Sequence, residues 1–273
     1  MRYFDEGYGV RKNPRLPDAS NVLIEVTDSH RNWYGDTHGA CFMTLSASSS
    51  QRLCASSSVG VNYTFNFMRP APLHSVLYAS SDLLHEGRTI STVETQVYCQ
   101  GRTACRAVAD YCNATKLLQG EGGAWNLESR NRPPAAQAEL YSRSLDEPNL
   151  DVEALVCGKK MKREISAMGR MDRFSIALPT NGAFSNRAGF IDAGAYCDLG
   201  DIALGVIARS LVGKSPTTQF SLYLARPARP GSRLVCEASI KAVNGRFALV
   251  GGTIWADDCV SAIVCGSYYS MGE

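Results

Sequence analysis

Residues 32–40, Asn32-Trp33-Tyr34-Gly35-Asp36-Thr37-His38-Gly39-Ala40, are answered 154 positions later by Asn186-Arg187-Ala188-Gly189-Phe190-Ile191-Asp192-Ala193-Gly194. Both stretches carry Asn-x-x-Gly, then a polar residue suited to cap a helix, then small residues that open the helix entry to close approach. The copies differ in a complementary way. Nine residues beyond His38 stands Ala47, whereas nine beyond Asp192 stands Asp201. One copy keeps His-Gly at its helix entry, and the other keeps an acid inside its helix.

Working outward, each copy reads in the same order. A short apolar strand comes first, Val22–Val26 in one and Phe174–Leu178 in the other. The polar loop follows, then a helix expected over roughly 38–56 and 192–211. In the second helix Ala195, Leu199, Ile202 and Val206 recur at helical spacing as one apolar stripe. Strands come next. Val61, Tyr63, Phe65 and Phe67 alternate with Asn62, Thr64 and Asn66, the period of a half-buried strand. Pro70 and Pro72 break one run, as Pro227 and Pro230 break its counterpart. Hairpins are expected at His85–Arg88 and Val243–Arg246, the second because Asn-Gly suits a turn with positive φ. The final strands fall at about 102–112 and 259–269. These patterns divide the chain into domains at 1–119 and 171–273. Residues 120–170 form a linker rich in Gly, Pro, Asn and charge, with a short helix near Asp151–Val156.

Composition bounds the partners. A chain of 273 residues suits two units of roughly 130 each, and 45% hydrophobic content can fill two cores. A net charge of +2, with the single basic run Lys159–Arg163 falling between the copies, gives no reason to expect nucleic acid. No stretch approaches the ~20 apolar residues of a membrane span, and residues 1–6 have no hydrophobic run of the kind a secretion signal needs. Ten cysteines form no Cys-x-x-Cys, and the four histidines show no ligand spacing, so no metal is expected. A reduced, cytoplasmic protein is the expectation.

A long helix inserted after the first strand of an antiparallel sheet resembles the hotdog fold, in which the sheet wraps the helix. The likeness covers nearly the whole chain and implies an α+β protein of two tandem hotdog domains, packed as an internal pseudo-dimer. Asn32, Gly35, His38 and Gly39 match the motif of the phenylacetate-pathway type of hotdog thioesterase. Ala40 stands where that motif has a second glycine, and Ala47 where it has its acid. The second copy is similar to the C-terminal repeat of the double-hotdog acyl-CoA thioesterases, through Ala195-Tyr196-Cys197-Asp198, Thr217 and Arg226-Pro227.

The spacing itself argues for a site shared between the copies. Nine residues of helix span roughly 14 Å and about 900° of turn, so a helix entry and an acid nine residues on lie on opposite faces. An acid must reach His38 and Gly39 from a neighbouring helix, and Asp201 is the one available. The resemblance implies that Gly39 N–H, with Asn32 and His38, polarises a thioester carbonyl and that Asp201 acts as general base or nucleophile. Thr217 matches a polar helper able to hold a water, and Asp198 is the runner-up acid. Gly35, Ala40, Arg69, Arg88 and Asp198 are the further residues expected to meet substrate, the arginines through coenzyme A phosphates. Coenzyme A enters only as part of the substrate, and no other cofactor is expected. Homo-oligomers of the double hotdog are a further expectation.

Two rival functions follow from the same residues. Asp36 and His38 in one loop suggest a hotdog enoyl-CoA hydratase or dehydratase, and the missing acid at Ala47 suggests a non-catalytic acyl-CoA-binding module. No Gly-x-Ser-x-Gly elbow supports a serine hydrolase. Val212-Gly213-Lys214-Ser215 imitates a phosphate loop, but Ala208 stands where its first glycine is required.

Overall fold

The computed structural model describes residues 3–15, 18, 20–32, 34–113, 135–136, 138–139 and 169–272. The expected short helix near Asp151–Val156 lies outside these residues. In chain order the elements are α1 (Phe4–Gly7), β1 (Arg11–Lys12), β2 (Val22–Glu25), α2 (Gly39–Gln51), β3 (Ser58–Phe67), β4 (Val76–Glu86), β5 (Ile90–Cys99) and β6 (Arg102–Asn113). They continue with β7 (Ala138–Glu139), β8 (Arg173–Pro179), α3 (Ala193–Val212), β9 (Thr217–Leu224), β10 (Arg233–Asn244), β11 (Phe247–Ala256) and β12 (Cys259–Tyr269).

Among the described residues the strands form one twelve-stranded sheet in the order β1-β2-β4-β5-β6-β3-β9-β12-β11-β10-β8-β7. The first copy contributes six of its strands, the second five, and the stretch between them β7, and the copies meet where Asn62–Asn66 of β3 pair antiparallel with Gln219–Tyr223 of β9. The pair Thr64↔Ser221 sits midway along that seam. The two halves are thus related by an approximate two-fold through the seam, as two subunits of a dimer would be.

Both helices lie in the concave side of the sheet, and each is enclosed. The apolar stripe read from α3 is a partial view of it, because every residue from Ala193 to Leu204 is buried. A helix covered all round carries apolar and small residues on every face. Full burial of a side chain such as Leu199 or Leu204 contributes about 1.5–3 kcal/mol. Helix α2 is buried too, although it is rich in serine. Its serine hydroxyls avoid the cost of lost hydration by finding partners. Ser46 donates to Phe42 O, Ser48 to Asp5 Oδ2 and Ser49 to Ser20 O, while Ser50 bonds Tyr111 OH. The α2 helix ends at Gln51, earlier than the expected 56, and its C-cap Arg52 retains helical φ and ψ.

The hairpin at 243–246 forms with a different turn. Asn244 pairs with Phe247, so the two turn residues are Gly245 and Arg246, and Gly245 alone has positive φ (57°). The glycine occupies the first turn position, the one at which a type II′ turn requires it. Among the described residues no helix is long and apolar enough to cross a membrane.

Candidate active site

Two identical pieces of local chemistry build the helix entries. Asn32 Oδ1 accepts the N–H groups of Tyr34 (2.8 Å) and Asp36 (3.0 Å), and Asn186 Oδ1 accepts those of Ala188 (2.9 Å) and Phe190 (3.1 Å). The glycine three residues on takes positive φ in both copies, 92° at Gly35 and 81° at Gly189, which explains the repeated Asn-x-x-Gly. The chain then turns back through matching bridges, Arg31↔Thr37 and Ser185↔Ile191. It enters each helix beneath a side-chain cap. His38 Nδ1 accepts from Ala40 N (3.2 Å), and Asp192 Oδ1 accepts from Gly194 N (2.8 Å).

Beside the first entry lies a cavity of about 410 Å³ lined from both copies. Asn32, Asp36, Thr37, His38, Gly39, Phe42, Phe67 and Arg69 come from the first copy, and Asp201, Ile202, Val206, Arg209, Lys214 and Thr217 from the second. Gly39 and Asp201 face each other closely there. A Cβ placed on Gly39 would lie 3.0 Å from Asp201 Oδ2 and 3.6 Å from Phe67 Cζ. As the first residue of α2, Gly39 has an N–H with no acceptor inside its own helix, and the helix dipole favours negative charge there.

The acid is well supported. Asp201 is only 7% exposed, accepts the Thr217 hydroxyl on Oδ1 (2.9 Å), and has Oδ2 3.7 Å from His38 Nε2. Burial raises its carboxyl above the ordinary range, and His38 and the Thr217 bond partly offset this. A carboxylate shifted in that direction is a stronger proton acceptor than an exposed one. Among the described residues no group of His, Cys, Asp and Glu is arranged to hold a metal ion.

The structure brings Asn32, His38, Gly39, Arg69, Asp201 and Thr217 to this cavity and leaves others out of its lining. Asn32 serves its own loop, also donating through Nδ2 to Thr37 O (3.3 Å). Ala40 is fully buried, Gly35 is an exposed turn residue, and Asp198 sits behind His38 at 1% exposure. Arg88 lies just past the tip of β4, in the exposed turn to β5, and does not line the cavity. Arg226 is exposed, its Nη1 directed at Cys259 Sγ.

Sequence reasoning missed one wall. The ring of Tyr34 lies under the cations of Arg209 (5.4 Å) and Lys214 (5.5 Å), and its hydroxyl accepts Ser215 N–H (3.1 Å). The segment that imitates a phosphate loop is therefore part of this cavity wall. Its signal was visible, but only the third dimension ties it to Tyr34.

Among the described residues the second helix entry shows no cavity of that size. Only about 10 Å³ remains among Ala47, Gly60, Tyr63, Asp192 and Ala193. By the two-fold through the seam, Ala47 stands for Asp201, Ala193 for Gly39 and Gly60 for Thr217. The Tyr63 hydroxyl fills the rest, lying 1.8 Å from where a Cβ on Gly60 would be. Restoring the acid will not restore a site. Ala47→Asp is expected to bury an unpaired charge and lower stability by at least about 3 kcal/mol in urea unfolding, with no added activity. Unchanged stability would show that the second entry has more room than this.

Asp192 carries a pH signature. Burial, with the nearby Asp5 charge, pushes its carboxyl up to about 7, against the pull of Gly194 N–H. A folded carboxyl that keeps its proton longer than the unfolded chain does makes stability fall as pH rises from the ordinary carboxylate range, until the loss is complete above about 7. Asp198, pushed up to about 6, adds a loss of the same sign. Asp192→Asn keeps the cap and removes the charge, so its melting temperature should exceed the wild type's at about pH 8 and match it near pH 4. Asp192→Ala should instead cost about 1 kcal/mol in the acid range, where the wild-type carboxyl is not charged. Superimposable pH–stability curves for wild type and the Asn variant would refute this.

Known proteins share this family and fold. The model of the Thioesterase superfamily matches residues 34–106 and 188–263, one segment in each copy. Solved structures cover almost the whole chain. A Thermobifida fusca protein provisionally described as a thioesterase II is 18% identical, with a TM-score of 0.68 over 98% of this chain and 97% of its own. An acyl-CoA thioesterase II of Mycobacterium marinum is 12% identical, with a TM-score of 0.62 over 99% and 98%. A hot dog fold protein of unknown function from Alicyclobacillus acidocaldarius is 13% identical, with a TM-score of 0.60 over 99% and 98%. Identities this low speak for the fold alone. No curated protein matches the chain. With the superfamily model spanning both halves of one wrapped sheet, the chain belongs to the thioesterase superfamily and is built as two hotdog copies in tandem.

Proposed function

We propose that this protein hydrolyses acyl thioesters of coenzyme A, or of an acyl carrier, at one composite site between its two copies. The observation that carries the reading is the approach of the Asp201 carboxylate to Gly39, at a cavity of about 410 Å³ lined from both copies. The thioester carbonyl oxygen faces the Gly39 N–H at the positive end of α2, where the charge of a tetrahedral intermediate is stabilised. Asp201, held by Thr217, takes a proton from water as the water oxygen bonds to the carbonyl carbon. Collapse breaks the carbon–sulfur bond, and the thiolate leaves and is protonated. The net change is thioester plus water to carboxylic acid plus thiol.

The lining supports a substrate with an apolar end and an anionic end. Phe42, Ile202 and Val206 are buried in it, whereas Arg69, Arg209 and Lys214 are exposed and suit phosphates of the carrier arm. The compartment we propose is the cytoplasm. The test is release of free thiol from a panel of acyl-CoAs of different chain length, run on wild type and on Asp201→Asn. Acid-dependent release is expected. Tight acyl-CoA binding without thiol release would replace this reading with that of a binding module. Addition of water to an enoyl-CoA, lost in Asp36→Asn and kept in Asp201→Asn, would replace it with a hydratase.

A further inference from the structure

One buried carboxyl has no task in the reaction above. Asp198 lies one turn before Asp201 on α3, is 1% exposed, and is absent from the cavity lining. Neither of its oxygens has a hydrogen-bond partner. Burying a carboxyl without partners is costly, and such groups mark places where function outweighs stability. The ring of His38 lies beside it, with Asp198 Oδ1 3.5 Å from Nδ1. The opposite edge of that ring, Nε2, lies 3.7 Å from Asp201 Oδ2. The imidazole therefore stands between two acids, one behind it and one at the cavity.

We propose that Asp198 is a positioning residue that acts on catalysis through His38, keeping Nε2 turned toward Asp201 and the cavity and setting whether Nδ1 carries a proton. This rests on the thioesterase reading of the same site. Two arrangements of one proton describe the device. With Asp198 protonated, Nδ1 is a bare acceptor and caps Ala40 N–H, as seen here. When the proton passes to Nδ1, the carboxyl O–H bond breaks and an N–H bond forms, leaving a carboxylate beside an imidazolium. The Ala40 N–H is then released next to Gly39, and Nε2–H can donate to a developing oxyanion or to the departing thiolate. Burial pushes the Asp198 carboxyl up to about 6, with His38 opposing and Asp201 reinforcing the shift.

The other copy lacks both partners together. The cap there is Asp192, and the position facing it is Thr44, whose hydroxyl is also unpartnered. Histidine and the rear acid occur on the side with the open cavity and are absent from the closed one. The titratable groups facing Asp198 are His38 and Cys41 of α2, Tyr8 beyond α1, and Cys197 and Asp201 of its own helix. Of these, burial moves Tyr8, Cys41 and Cys197 away from neutrality, and His30, which faces His38 from the preceding loop, is held down by its own burial.

The test is Asp198→Asn, read by ¹⁵N shifts of the His38 ring and by the pH–rate profile from about pH 5 to about pH 9. The His38 protonation midpoint should fall by at least about one unit, kcat by about tenfold or more with KM within about twofold, and the acid limb should move. A variant that melts at lower temperature but keeps the wild-type His38 midpoint and limb would overturn the proposal, since a purely structural role predicts that result. Should the Asn variant not fold, the wild-type ring decides: a two-step titration is expected of a coupled ring and carboxyl, and a single step overturns it. Absence of wild-type turnover would remove the thioesterase reading, with the His38 titration still deciding the coupling.

Discussion

Asp201→Asn is expected to lower kcat for thioester hydrolysis by about 10³-fold while leaving the fold intact. The substitution keeps size and shape, and an Asn oxygen can still accept the Thr217 hydroxyl now bonded to Asp201 Oδ1. Only the ability to accept a proton, or to attack carbon, is removed. Stability should not suffer, because burial already opposes the charge at this position, and at about pH 8 the variant should melt no lower than the wild type. The measurement pairs thiol-release kinetics with thermal unfolding. Activity within about tenfold of wild type would show that the carboxylate is not the reacting acid. A parallel fall in melting temperature would instead identify Asp201 as a fold determinant.

The second large effect is expected from a single methyl group. In Gly39→Ala the new Cβ lies 3.0 Å from Asp201 Oδ2 and 3.6 Å from Phe67 Cζ, in the gap between the free amide and the acid. That gap is where the thioester carbon must sit to meet both. The expected loss in kcat/KM is about 10²-fold, the scale of a lost oxyanion donor. The helix should gain, since Ala is favoured over Gly in a helix by up to about 1 kcal/mol. Catalysis and stability thus move in opposite directions, which a misfolded variant would not do. The chain holds a comparison of its own, because Ala193 begins α3 at the entry with almost no cavity. A Gly39→Ala enzyme within about threefold of wild type would remove the amide from the reaction.

Much of this arrangement was legible in residue order, for reasons that are local. Asn-x-x-Gly specifies its loop because an Asn oxygen gathers two N–H groups and glycine takes the left-handed turn, and neither depends on distant contacts. The incompatibility of His38 with an acid nine residues on in the same helix followed from helix geometry, and it named Asp201. The strand over Val61–Phe67 followed from alternation alone. What escaped depends on packing. The wall of Tyr34, Arg209 and Lys214 joins residues from both copies, with no spacing pattern to announce it. Closure of the second entry rests on one hydroxyl, that of Tyr63, aimed at a strand glycine. Arg88 carries a charge suited to phosphate and sits in the turn of the hairpin expected at His85–Arg88, but that turn lies outside the cavity lining, which sequence position does not disclose. The burial of the serines of α2 rests on partners from distant segments, Asp5, Ser20 and Tyr111, which no local pattern announces.

The antiparallel seam between β3 and β9 has a consequence for how the protein tolerates dilution. Where such a reaction centre is assembled from two separate polypeptides, it dissociates as concentration falls, and its specific activity falls with it. Here both contributors travel on one backbone, so their local concentration is set by the tether rather than by expression level. Specific activity should therefore hold constant down to the lowest enzyme concentration an assay can read.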